Sequence, residues 1–425
     1  MSTAKTNTSA ALQTATPESV REVNRVILLR LMRRYQPVSR ADLARRSGIV
    51  QSSVSRIVEQ LIGEGVLAEE RGVPVSRGKV PMLLRLRDDY FQVLGIHIQP
   101  LQTTVAFAGF NGNIHNTWSF PTPQSPRKFI DESCKVIREI QRSVDLAPGG
   151  IRHIGVGVPG FIDCGAGKIT AVSSLPEYSA FPLAAEFQAQ AGIPVSIDND
   201  CNLGALSELR RAEGREEGCE RDFIFVSVGD YGVGAGLVLG GELYRGHDLR
   251  FAAEVGHMIM NVDGPKCSCG RHGCLETYIS NSATFSRYKP RTLFRRDRFA
   301  EMLRAAADGE PRAVKAVEET ACHIALAVSN IASVLNPAEI VIAGEITEAF
   351  PMISDALESR FQSPYASARI RRSWWPREAP LLHGAVWLAI DQAVTTPVFG
   401  VLPDSGVIAG DQTHAPAKPA HQGLN

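Results

Sequence analysis

The stretch EVGHMIMNVDGPKCSCGRHGCLETY, Glu254 to Tyr278, gathers one upstream histidine, three cysteines and two flanking glutamates within 25 residues. Cys267, Cys269 and Cys274 follow the spacing C-x-C-x4-C, and Ser268 with the run Gly270-Arg271-His272-Gly273 allows tight turns around one ion. His257, ten residues before the first cysteine, offers a fourth donor. Thiolate and imidazole together suit zinc better than magnesium or calcium, which take oxygen ligands. Four protein ligands close the coordination sphere and leave no position for a reactive water, so the metal is structural. His272 is the rival for the fourth place; it ranks second because a ring in a turn between two ligands points more easily to solvent. The bland alternative, three reduced cysteines packed in a loop, fits poorly because a polar, Gly-rich loop makes a poor core.

The other five cysteines (Cys134, Cys164, Cys201, Cys219 and Cys322) are scattered singly, which favours thiols and one metal site over a disulfide framework. A length of 425 residues with 44% apolar content can fill two or three cores. No apolar stretch reaches the roughly 18 residues that span a bilayer, and the polar start lacks the regions of a secretory signal. The chain therefore reads as cytoplasmic, without a membrane partner. Basic and acidic residues balance at 45 each, yet Arg21 to Arg56 carries nine arginines against Glu22 and Asp42 alone. By itself such a run fits a solvated helix face; with the right scaffold it fits a polyanion contact.

The elements that follow supply that scaffold. Residues 1–17 and 396–425, rich in Ser, Thr, Ala, Pro and Gly, read as tails. From Glu18 to Tyr35, Val23, Val26, Ile27 and Leu31 recur at helical spacing, and Pro37 ends the run. Ser39 caps RADLARRSG, which stops at Gly48, and QSSVSRIVEQLIGEG then places Val54, Ile57, Val58 and Leu61 on one face. The opposite side shows Gln51, Ser52, Ser53, Ser55, Arg56 and Glu59. Short hydroxyls at the front of a second helix can approach phosphates and base edges closely. The segment VLAEERGVPVSRGKVPMLLRLR adds two strands with Arg77 and Lys79 at their tip. Residues 18–88 thus predict a winged helix-turn-helix that binds double-stranded DNA.

Beyond it, residues 89–395 alternate apolar strands with helices. FQVLGIHI, TTVAFAG, HIGVGVPGFID, VSIDND, FIFVSVGDYGVGAGLVLGG and EIVIAGE read as strands. Helices are expected over Pro126 to Val144, Pro182 to Ala191, Cys201 to Ala212 and Ala313 to Leu335. Two strand-turn-strand units, near Val93 to Gly109 and Phe223 to Gly240, suggest a duplication: two α/β lobes around a cleft, with Asn199 and Asp200 at strand ends facing it.

The cysteine-rich stretch resembles the signature of the ROK family (repressors, open reading frames and sugar kinases), E-x-G-H followed by C-x-C-G-x-x-G-C-x-E. GVGVPGFID, IDNDCN, GVGAGLVLGG and EIVIAGE also resemble family elements in the family's order, over roughly Phe91 to Val394. The resemblance implies an α/β fold with two actin-like, RNase-H-like lobes, a structural zinc loop and a sugar site in the cleft. It gives Asn199, Asp200, Glu254, His257 and Glu276 as sugar-contacting positions. Asp200 is the catalytic base in kinase members, and His257 is also a zinc ligand. A helix-turn-helix ahead of this domain is the arrangement of the family's repressors.

Kinase members carry D-x-G-G-T after the first strand, whereas VLGIHIQPLQTT has His97, Gln99, Pro100 and Leu101 in that region. Proline lacks the N–H that would meet a phosphate, leucine adds bulk, and the magnesium-binding aspartate is gone. Asp230-Tyr231 stands where kinases have Gly-Thr, and an added carboxylate repels phosphates. In the sugar region Ser174-Leu175-Pro176-Glu177-Tyr178 replaces the family's Asn-Leu-Pro-Gly-Trp. The expectation is a non-enzymatic regulator, a homodimer or homotetramer that leaves its operator when a sugar or sugar phosphate binds. The alternatives are a residual sugar kinase and a repressor controlled by a protein partner.

Overall fold

A computed structural model describes residues 17–72, 81–212, 220–247, 252–360, 368–377 and 379–395. The expected tails, Cys219, and the wing residues Arg77 and Lys79 lie outside the described residues, apart from Pro17, which opens the first helix.

Three helices begin the chain: α1 (Pro17–Tyr35), α2 (Arg40–Ser47) and α3 (Gln51–Gly63). Ser39 Oγ accepts the Asp42 N–H at 3.1 Å and starts α2, and Gly48 in the left-handed region (φ 69°) ends it. Strands β1 (Leu67–Arg71) and β2 (Met82–Leu86) follow as an antiparallel pair in which Leu67 faces Leu86. Val38 bridges Leu84, tying the pair to the helices. The inward side of α3 is the expected one, with Val54, Ile57, Val58 and Leu61 buried. On α1 the buried residues are Leu28, Leu29 and Met32, while Val23 and Ile27 are turned outward and Val26 and Leu31 are half-buried. This helix is apolar on more than one side, so spacing alone did not choose its inner face.

The next section supplies β3 (Gln92–Ile98), β4 (Gln102–Gly109), β5 (Ile114–Pro121), α4 (Pro126–Ser143), β6 (Ile151–Val158), the small pair β7 (Phe161–Asp163) and β8 (Lys168–Ala171), α5 (Leu183–Ala191) and β9 (Val195–Asn199). After α6 (Asp200–Ala212) come β10 (Phe223–Val228), β11 (Val233–Leu239), β12 (Glu242–Tyr244), α7 (Glu276–Ile279), α8 (Asn281–Tyr288), α9 (Arg296–Ala307), α10 (Pro311–Leu335), β13 (Glu339–Gly344), α11 (Phe350–Arg360), β14 (Arg369–Arg372) and α12 (Ala379–Thr395).

Two sheets result, ordered β5-β4-β3-β6-β9 and β12-β11-β10-β13-β14. Each consists of a three-stranded antiparallel meander whose first strand pairs in parallel with a later strand, which in turn pairs in parallel with a last one. The duplication read from the two strand-turn-strand units is therefore a duplication of whole sheets. Each sheet has its own core, one around Leu94, Phe129 and Phe187, the other around Ile224, Phe299 and Val328.

Two helices join the halves. α6 leaves the end of β9 and packs on β10 and β11, while α12 packs on β3, β6 and α6. The crossing is close: a Cβ at Gly384 of α12 would collide with the Leu203 carbonyl of α6, and one at Gly155 of β6 with the Ala385 carbonyl. Among the described residues no helix is long and apolar enough to cross a membrane.

Candidate functional site

The cysteine loop folds as its spacing demands. Ile259 bridges Cys274 and Lys266 bridges His272, so the segment doubles back on itself. Gly273 has φ 68° and lies against the Asn261 backbone, where a Cβ would overlap the carbonyl oxygen. As a result the donor atoms of His257, Cys267, Cys269 and Cys274 all lie within 4.8 Å of one another. Cys267 Sγ is 3.7 Å from His257 Nδ1, and Cys269 Sγ is 3.7 Å from Cys274 Sγ. This set could hold one metal ion. His272 stays exposed, its Nδ1 3.1 Å from the Gly264 carbonyl oxygen, and is not part of it. Burial opposes ionisation of Cys269, but the backbone and side chain of Arg271 outweigh it and bring the thiol down to about 7.

The same loop carries two carboxylates toward Asp200. Glu254 directly precedes the short 3-10 turn Val255–His257, and Glu276 opens α7. Burial, followed by the nearby charges of Asp200 and Glu276, pushes the Glu254 carboxyl up to about 7. The three acids thus share one electrostatic environment. Glu276 Oε1 accepts from Ser268 Oγ at 3.2 Å and lies 3.3 Å from Cys267 Sγ, which places it beside the metal loop.

Asp200 is the first residue of α6, with its carboxylate directed by the Cys201 N–H at 2.8 Å. Asn199, the last residue of β9, serves largely as a local brace. Its amide oxygen accepts the N–H groups of Cys201 (2.9 Å) and Asn202 (3.1 Å), and its amide nitrogen donates to the Gly160 carbonyl at 3.0 Å. One amide N–H remains for a ligand. Asp198, which sequence reasoning passed over, is 1% exposed and anchors the cleft floor. It accepts from Arg245 Nε at 2.7 Å, Asn202 Nδ2 at 3.0 Å and Cys164 Sγ at 3.2 Å. The hint of it in the sequence was the first of the two acids in VSIDND.

The β3–β4 and β10–β11 turns are each braced by local hydrogen bonds. Gln99 N–H donates to the Gln102 carbonyl across the β3–β4 turn, and Leu101 at its tip is 81% exposed. In the β10–β11 turn, Asp230 accepts from Asn281 Nδ2 at 3.0 Å and from Arg296 Nε and Nη2 at 3.0 and 2.7 Å. Tyr178, in the segment that replaces the family's Asn-Leu-Pro-Gly-Trp, is fully buried. It packs on Phe129 and donates its hydroxyl to the Pro123 carbonyl at 2.8 Å.

At the other end of the chain, Gln51, Ser52 and Arg56 of α3 are exposed, and Ser53 and Ser55 are half-buried beside them. Glu59 on the same side is engaged by Arg40 at 3.3 Å. These residues share one edge of α3 but belong to an element separate from the carboxylate cleft.

A duplicated α/β domain in which Asp200, Glu254 and Glu276 lie near one another beside a cysteine-histidine loop follows three helices and a strand pair. Residues 93–389 match the ROK family profile. The chain belongs to the ROK family. It is 28% identical over 341 residues to the xylose repressor of Caldicellulosiruptor bescii, covering 76% of this chain and 83% of that one. It is 26% identical over 351 residues to the DNA-binding transcriptional dual regulator NagC of Escherichia coli K12, covering 80% and 84%. Its fold superimposes on a ROK family transcriptional regulator, a homologue of the E. coli MLC protein, with a TM-score of 0.71 at 21% identity, covering 88% and 98%. A ROK glucokinase from Streptomyces griseus, solved with glucose and AMPPNP, gives 0.60 at 22% identity, covering 71% and 99%.

Proposed function

We propose that this chain is a sugar-responsive DNA-binding transcriptional repressor. The observation that carries the reading is the pairing, in one chain, of a solvent-facing Gln, Ser and Arg edge on α3 with a cleft lined by Asp200, Glu254 and Glu276. α2, α3, β1 and β2 make a winged helix-turn-helix in which α3 enters the major groove and the wing, with Arg77 and Lys79, follows the backbone or minor groove. The carboxylates and the free N–H of Asn199 take the vicinal hydroxyls of a sugar. The repressors among the relatives support the same assignment. A homodimer or homotetramer would match a pseudo-palindromic operator.

Zinc is the metal we assign to the loop. A tetrahedral site with Zn–S bonds of about 2.3 Å has S···S edges of about 3.7 Å, and Cys269 Sγ and Cys274 Sγ stand 3.7 Å apart. With four protein donors the ion holds the loop that carries Glu254 and Glu276 and takes no part in chemistry.

Asp200 keeps the kinase base position, so a sugar kinase is the alternative. A β3–β4 turn containing Pro100, which has no N–H for a phosphate, favours the regulator, and Asp230 in the β10–β11 turn occupies that turn with its own pairing to Arg296 and Asn281. The test is to select operator duplexes from a random pool and titrate them with the protein in the absence and presence of D-xylose, N-acetyl-D-glucosamine and their phosphates. Release by one of these supports the reading. Absence of any selected duplex removes it.

A further inference from the structure

Asp391, near the end of α12, is held from two sides. Arg33 Nη1 of α1 donates to its Oδ1 at 2.5 Å, and Arg210 Nη2 of α6 donates to its Oδ2 at 2.7 Å. Burial opposes a charged carboxylate here, yet the guanidinium groups of Arg210 and Arg33 outweigh it and hold Asp391 below the ordinary aspartate range. The Arg33 side chain is 7% exposed and lies over the Trp387 ring, 5.4 Å from its centroid.

Each arm of this bridge continues into a functional element. Arg210 is ten residues along α6 from Asp200, about 15 Å of helix. A force on the ligand end of α6 therefore reaches Arg210 as movement of a stiff rod. Arg33 belongs to the helix that grips α3: Arg25 donates to Glu64 at 2.5 and 3.1 Å, and Arg21 to Gln60 at 2.5 Å. One hydrophobic cluster encloses the set, running from Leu28 and Met32 of α1 through Leu203 and Leu206 of α6 to Val386 and Ile390 of α12. A second attachment of the N-terminal helices avoids α6 altogether: Gln36 accepts the Leu86 N–H at 2.8 Å and donates to Asn111 at 3.3 Å.

We infer that Asp391 is the coupling residue of the ligand response. It receives, through Arg210, the displacement of α6 when a sugar engages Asp200, and passes it through Arg33 to α1 and so to α3. This rests on the ligand response proposed above. Physically it requires an element with two arrangements biased from both ends; the α6–α12 crossing, joined to α1 by a shared carboxylate, is the connection between those ends, and the test below reads whether it responds.

The test has two arms. In the first, a selected operator duplex is titrated with wild-type, Arg33→Met, Asp391→Asn and Gln36→Ala proteins, with and without D-xylose or N-acetyl-D-glucosamine, and sugar binding is followed separately by calorimetry. The wild type is expected to lose operator affinity about tenfold or more with sugar. Arg33→Met and Asp391→Asn should bind sugar as before but retain less than about a twofold response, whereas Gln36→Ala keeps it in full. A merely structural bridge would change stability without changing that ratio, so a full response in Arg33→Met overturns the inference. In the second arm, hydrogen exchange of α1 is read without ligand in wild-type, Arg33→Met and Arg210→Met proteins. Exchange should rise about fivefold or more in both variants; an α1 unaltered by Arg210→Met overturns the connection. If wild-type operator binding ignores both sugars, the proposed response to them fails, and the exchange arm still decides whether α6 reaches α1. Should Asp391→Asn not fold, the two arginine variants each remove one arm and carry the test.

Discussion

His97 Nε2 stands 3.7 Å from Asp200 Oδ2, with the His97 side chain 6% exposed and that of Asp200 18% exposed. An imidazole at the end of β3 thus backs the carboxylate that opens α6, in the region where kinase members of the family carry the aspartate of D-x-G-G-T. At that distance the ring packs beside the carboxylate without a hydrogen bond, and the Cys201 N–H is the group that donates to it. Asp200 thus stands beside an imidazole, and the β3–β4 turn near it carries Pro100, which has no N–H to offer a phosphate.

ATP-dependent phosphorylation of D-xylose, glucose and N-acetyl-D-glucosamine is accordingly expected to be negligible, and His97→Asp alone should not install it. Turnover near about 1 per second, typical of kinases, that disappears in Asp200→Asn would reverse the assignment. A coupled ADP-release assay decides between the two.

One zinc per chain is expected in protein purified without chelators. Cys269→Ser should at least halve the metal content and lower Tm by about 5 °C or more, because a structural ion contributes directly to folding. His272→Ala should retain full content, since that ring faces the Gly264 carbonyl rather than the three sulfurs. Elemental analysis and thermal melts read both. Normal zinc in Cys269→Ser would assign the ligand set wrongly.

Several of these features were legible in the sequence for identifiable reasons. Apolar runs such as QVLGIHI and FIFVSV are buried along their whole length and are bounded by turn residues, so they announce β3 and β10. The cysteine spacing left His257 and His272 as rivals, and the fold brings His257 to the three sulfurs while His272 faces the Gly264 carbonyl. β5 escaped because it is a mostly exposed edge strand, and α12 because APLLHGAVWLAIDQAVT is apolar on several sides where α6, β3 and β6 meet it. The Arg33–Asp391 pair joins residues 358 positions apart, and no local pattern encodes it. Asn199 looked like a ligand-binding amide but spends most of its hydrogen bonds on α6 and Gly160.

At the DNA end, Arg56→Ala should relax sequence preference at one position and cost about 1–3 kcal/mol if the guanidinium meets a guanine. Lys79→Ala should instead weaken binding to all duplexes alike and reduce the salt slope by about 1. Quantitative titration at several salt concentrations separates the two. A uniform loss in Arg56→Ala would move that residue from base reading to backbone contact.

At the cleft end, Asp200→Ala and Glu254→Ala should bind operator as the wild type does but no longer release it when sugar is added. The reasoning is linkage. A sugar that weakens operator binding by a given factor must itself be bound more weakly by that factor when operator is present. Removing a carboxylate that accepts sugar hydroxyls abolishes one side of this reciprocal pair, while α3, carried by a different element, keeps its DNA face. Glu254 also shares its environment with Asp200 and Glu276, so its removal relieves repulsion and should leave the cleft folded. Fluorescence anisotropy with labelled operator, alongside calorimetry with D-xylose and N-acetyl-D-glucosamine, measures both sides. Folded variants that lose DNA binding outright would show that the cleft supports the N-terminal helices structurally rather than reporting a ligand to them.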